Sequence, residues 1–86
     1  MDFLSCTVML AGVDAATAVK FHDALTRRGL NVLRVADGRT VFAGFDEELP
    51  DLLFVPVRLP DMSPAQLCHH LRLNTATRGF PVVVLV

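Results

Sequence analysis

Four groups of residues in this chain have the types from which chemical sites are built. Cys68, His69 and His70 are consecutive and offer a thiol and two imidazoles, the donors of a metal site. On a helix, however, successive side chains point about 100° apart, so the two imidazoles cannot face one ion without ligands from elsewhere. His22 could serve as a base for Cys6 or Ser5, but nothing near it in sequence completes a nucleophilic pair. Gly12 follows an apolar run, as in a dinucleotide-binding loop, yet a full GxGxxG is absent. The acidic run Asp46-Glu47-Glu48 reads as a solvated helix end that needs no ligand. The residues taken alone therefore give no catalytic set, no metal centre and no cofactor.

The elements that would position these groups follow from the apolar pattern. Thr7 to Ala11, Val32 to Val35, Leu52 to Val57 and Pro81 to Val86 are short, β-branched-rich runs. The first, third and fourth are nearly continuous, as parallel strands covered on both faces are. Three amphipathic stretches lie between them. The first is expected from about Ala15 to Arg28, with Asp14 as N-cap, Ala18, Phe21, Ala24 and Leu25 recurring at helical spacing, and Gly29 as the stop. The second is expected from about Arg39 to Glu48, with Val41, Phe42, Phe45 and Leu49 on one face and Gly44 weakening it. The third has Ser63 as N-cap and Pro64 at the first position, with Leu67, Cys68 and Leu71 pointing inward. The order β-α-β-α-β-α-β predicts an α/β fold with a doubly wound parallel sheet, residues 1–86 forming one domain.

Composition sets limits on function. Of 86 residues, 52% are hydrophobic and 20% charged, too apolar for a disordered chain. Eight basic residues against nine acidic ones leave no electrostatic footprint for nucleic acid or an anionic membrane. No apolar run approaches the ~20 residues that span a bilayer. The start has no basic stretch like that of a secretory signal, and two isolated cysteines make no disulfide framework, so a cytoplasmic protein is expected.

The third strand carries a specific resemblance. Pro50 to Met62 (PDLLFVPVRLPDM) resembles the response-regulator receiver pattern PDLVLLDVRMPDM, and Leu67 to Arg72 (LCHHLR) is similar to LCRRLR. Ala76 to Leu85 resembles ATRDIPVIVLT, and Arg28 to Val32 followed by Ala36 to Arg39 matches RGYEV…ADGR. The resemblance implies a flavodoxin-like receiver fold of bacterial two-component signalling, strand order 2-1-3-4-5, with its site at the carboxyl ends of the strands. It also implies that the fourth and fifth helices and the fifth strand are missing, leaving a partial domain.

The departures from that pattern shape the functional expectation. Receivers take a phosphoryl group onto an aspartate ending the third strand, beside a Mg²⁺ ion held by further carboxylates. The acceptor position here is Pro56, which offers no nucleophile and no backbone donor. The acidic pair falls on Gly12 and Val13, Asp14 is left as a lone third acid, and the hydroxyl position ending the fourth strand is Val86. A pseudo-receiver is therefore expected: not an enzyme, without cofactor or phosphoacceptor, acting through protein partners in phosphorylation-independent interaction or scaffolding. The alternative is a flavodoxin-like domain with a repurposed small-ligand crevice, or a regulatory fragment of a larger enzyme. Arg34, Arg58 and Asp61 are candidate partner contacts near the strand ends. The apolar run Val82 to Val86, or the uncovered sheet face, is expected to support self-association.

Overall fold

The computed structural model describes residues 6–85. Its elements run in the expected order: β1 (Thr7–Ala11), α1 (Ala15–Arg27), β2 (Asn31–Val35), α2 (Gly38–Glu47), β3 (Leu52–Pro56), α3 (Pro64–Leu73) and β4 (Val82–Leu85). All pairings are parallel, and the strand order is β2-β1-β3-β4. This is the doubly wound arrangement that the alternation of strands and helices predicts. Ser5 and Val86 lie outside the described residues.

β1 is the axis of the sheet. All five of its residues are buried, and it pairs with β2 on one side and β3 on the other. Because side chains alternate along a strand, β1 feeds two cores. Met9 and Ala11 pack with Val41 of α2, Leu53 and Val55 of β3, and Leu67 and Leu71 of α3. Val8 and Leu10 pack on the opposite face with Ala18, supported by Phe21 and Leu25 of α1 and Phe54 of β3. Two helices thus cover one face and a single helix covers the other. The asymmetry explains why Leu53 and Val55 are fully buried while Leu52, Phe54 and Pro56, which alternate with them, are only half-buried.

The helix ends are written into the sequence. Asp14 accepts a hydrogen bond from the Thr17 amide at 3.1 Å, and Ser63 and Gln66 form a reciprocal capping box at 3.1 and 2.8 Å. Gly29, at φ +83°, closes α1: its amide donates to the Thr26 carbonyl and the Leu30 amide to the Leu25 carbonyl, the two bonds of a Schellman motif. α1 and α2 each end one residue earlier than the pattern suggests, and α2 begins one earlier, at Gly38, with Asp37 as its cap. Leu49 lies beyond α2 and is 51% exposed, and Ala24 is exposed, so neither joins the core faces predicted for them. Cys68 is only half-buried. Gly44 has a packing reason: a methyl there would come within 2.9 Å of Met9 Cε.

β4 differs from the other continuous apolar strands. Val83 and Val84, on opposite faces, are 39% and 43% exposed, and no described strand pairs with its outer edge. The run of valines alone suggests coverage on both faces, which does not hold, whereas the exposed apolar edge expected from the missing elements does.

Leu53 is fully buried where β3 meets both α2 and α3. Leu53→Ala is expected to cost about 2–5 kcal/mol through lost transfer energy and a residual cavity. A fall in the urea midpoint at unchanged slope checks this.

Candidate functional site

The carboxyl ends of β1, β2 and β3 meet at one rim of the sheet, and three loops decide what that rim can do. β1 leaves the sheet through Gly12, whose φ of +66° lies in the left-handed region that glycine tolerates without a steric penalty. Its amide donates to the Val35 carbonyl at 2.9 Å, which ties the turn to the end of β2. Val13 is half-buried and packs on the α1 side of the sheet. Asp14, the one carboxylate on this turn, is exposed and directed to its own helix, where it caps α1.

Pro56 closes β3. The amides of Leu53 and Val57 both donate toward β4, to Pro81 and Leu85, so backbone alternation turns residue 56 toward β1. The last β1–β3 pair is Leu10 with Phe54, so the missing proline donor falls just past the end of that ladder. On the other side the ladder runs on through Val57. A proline is accommodated at this central strand for that reason.

The loop from β3 to α3 folds across the rim. Leu59 lies over Gly12, where an added methyl would come within 2.6 Å of Leu59 Cδ2 and 3.6 Å of Pro60. Met62 lies over Gly38 in the same way, with its sulfur 2.6 Å from the position of an added methyl. Between them, Asp61 accepts from the amides of Gly38 at 2.9 Å and Arg39 at 3.0 Å. Asp37 accepts from the Thr40 amide at 2.9 Å, and its carbonyl accepts from Val41 at 3.3 Å. The three free amides in the first turn of α2, those of Gly38, Arg39 and Thr40, are thereby filled, two of them from a loop more than twenty residues away in sequence.

The expected site residues separate into groups. Gly12, Val13 and Arg34 share a shallow depression of about 460 Å³ with Leu10, Val35 and Ala36. Arg58 is exposed on the β3–α3 loop. Asp61 is exposed too, but its carboxylate has a structural task at α2 that its place in the sequence did not reveal. Asp51 was missed altogether: its carboxylate accepts from the Thr7 amide at 2.7 Å and pins the entry of β1 to β3. An aspartate just before a strand is the signal that could have marked it. Val86 lies outside the described residues.

The remaining sequence candidates stay apart. His69 and His70 are exposed, and His70 meets the Phe42 ring edge-on at 5.9 Å. His22 is exposed with Nδ1 3.6 Å from Asp23. Among the described residues, no three His, Cys, Asp or Glu side chains gather as a metal site, and no helix is long and apolar enough to cross a membrane.

No family model matches the chain. It is 32% identical over 79 residues to the probable transcriptional regulatory protein TcrX of Mycobacterium tuberculosis, covering 92% of this chain and 33% of that one. Among solved structures it superposes on the signal receiver domain of a histidine kinase from Syntrophus aciditrophicus with a TM-score of 0.86 at 23% identity, covering 95% of this chain and 62% of that one. It also superposes on the receiver domain of a sensor histidine kinase from Pseudomonas aeruginosa, solved with magnesium in its active site cleft, with a TM-score of 0.82 at 20% identity, covering 94% and 66%. The chain thus spans about a third of that curated relative and about two thirds of these solved domains.

Hydrogen bonds from Thr17 hold the Asp14 carboxyl below its ordinary 3.8, and those from Thr40 do the same for Asp37. Both groups have folded values below their unfolded ones. Their contribution is therefore present above 3.8 and lost as pH falls through the lower folded values. The Asp14→Asn, Asp37→Asn double variant is expected to lose stability less steeply with acid than the parent, as read from urea midpoints through that range. Equal slopes would contradict the assignment.

Proposed function

From the premise that this chain is a response-regulator receiver fold through its fourth strand, we propose that it is a pseudo-receiver: a cytoplasmic, non-enzymatic signalling module that works through protein contacts without aspartyl phosphorylation. The observation that carries this reading is Pro56 at the end of β3, where the family resemblance puts the phosphoacceptor. A phosphoacceptor must present a nucleophilic oxygen, and a pyrrolidine ring has none.

The neighbouring residues support the same conclusion. Mg²⁺ gives up its waters reluctantly and is held by one or two carboxylates together with substrate oxygens. Gly12 and Val13 supply no carboxylate, and Asp14 already caps α1. These residues do not fit the ion that the family resemblance implies. Leu59 and Pro60 also put apolar groups over Gly12, where a phosphoryl group would need donors and cations. With no chemistry supported at the rim, recognition is left to the exposed groups around it. Arg34 and Arg58 are the charged contacts we assign to a protein partner, since Asp61 is engaged at α2.

Self-association through β4 belongs to the same reading. The two outer strands contrast: β2 carries Asn31 and the charged Arg34, whereas β4 has four uncharged apolar residues in succession. Charge on an edge strand discourages pairing with another sheet, and β4 lacks that protection.

Two experiments test the proposal. Beryllofluoride with Mg²⁺ is expected to leave the amide resonances of residues 12–14 and 57–58 unmoved; Mg²⁺-dependent shifts clustered there would refute the loss of phosphorylation chemistry. Light scattering of the 86-residue chain is expected to give a mass that rises with concentration and falls to the monomer in Val84→Lys. A monomer at high concentration would remove the self-association claim alone.

A further inference from the structure

We infer that the loop between β3 and α3 is a latched strap, with Asp61 as the latch and Leu59 as the plug, and that releasing Asp61 is what opens the rim beside Gly12. Three contacts along one short segment carry the inference. Leu59 overlies Gly12 at the exit of β1, Asp61 holds the Gly38 and Arg39 amides at the start of α2, and Met62 overlies Gly38. The two glycines leave no room between the strap and the backbone beneath it, so the apolar contacts form only while the loop lies flat.

The Asp61 bonds are the strong members of the set. A carboxylate on backbone amides at a helix start gains from its charge and from the positive end of the helix dipole. No other described group satisfies the Gly38 and Arg39 amides. Displacing the loop therefore strands two helix amides at once and lifts Leu59 away from Gly12. The strap makes the first turn of α2 and the exit of β1 respond together, although no hydrogen bond among the described residues runs directly between them. A partner that grips the loop at Arg58, beside the plug, would be felt at α2. Asp61 acts here as a positioning residue.

The test is amide exchange by NMR on the intact chain. Asp61→Ala is expected to speed exchange at Gly38 and Arg39 about tenfold or more, the scale of a lost charge-assisted hydrogen bond. Thr40, held by Asp37, should change far less. The Gly12 and Val13 resonances should move in the same variant. Asp61→Asn, which keeps one acceptor oxygen, should give the same pattern at smaller amplitude and covers the case in which the alanine variant does not fold. Unchanged exchange at Gly38 and Arg39 would overturn the latch. Faster exchange there with Gly12 unmoved would overturn the coupling, and a uniform rise across α1 and α2 would reduce Asp61 to a general stabiliser.

Discussion

The structure depends on the double burial of β1. Five successive residues of this strand are buried, and the strand has hydrogen-bonded neighbours on both sides. A strand in that position cannot carry polar side chains without leaving them unpaired, and Thr7 to Ala11 is accordingly apolar apart from Thr7 itself. Each helix packs where it does because β1 presents Val8 and Leu10 to one layer and Met9 and Ala11 to the other. The position of Gly12 follows as well, since the chain must turn sharply on leaving a strand that is enclosed on every side.

The rim of the sheet sets a familiar backbone plan beside an unusual set of side chains. Its backbone plan is that of a receiver, with the ends of β1 and β3 converging and a loop arching over them. What occupies the plan is different: a glycine, a proline, a leucine, and carboxylates employed at helix starts. Asp14, Asp37 and Asp61 all accept from backbone amides, so acidic residues are not absent from this end of the molecule but are committed to holding it together. Each of these carboxylates holds the start of a helix.

Much of this was legible in the sequence, for physical reasons that can be named. Asp14, Ser63 with Pro64, and Gly29 mark helix ends because their effects are local, acting within one turn. The strands were readable because burial on two faces leaves a continuous apolar run. Leu49 and Ala24 were misplaced because periodicity gives a face but not where the neighbouring element stops covering it. β4 shows the same limit: four apolar residues look alike whether or not a layer lies above them, and only the resemblance to a longer domain marked this strand as uncovered. Asp61 and Asp51 were beyond sequence reasoning for a different cause. Their partners are more than twenty and more than forty residues away, and only the completed fold brings the carboxylate to the amide.

The central place of the first strand has a consequence for how the chain is made. Synthesis proceeds from the amino end, so Thr7 to Ala11 emerges before any partner exists. β2 supplies the first neighbour only after α1 is complete, and the second edge stays unpaired until Leu52 to Phe54 has followed. Throughout that interval the most deeply buried strand of the sheet is presented to the cell with one side unsatisfied, the condition in which nascent chains recruit chaperones or aggregate. The segment that organises the folded protein is the one that depends longest on what has not yet been translated.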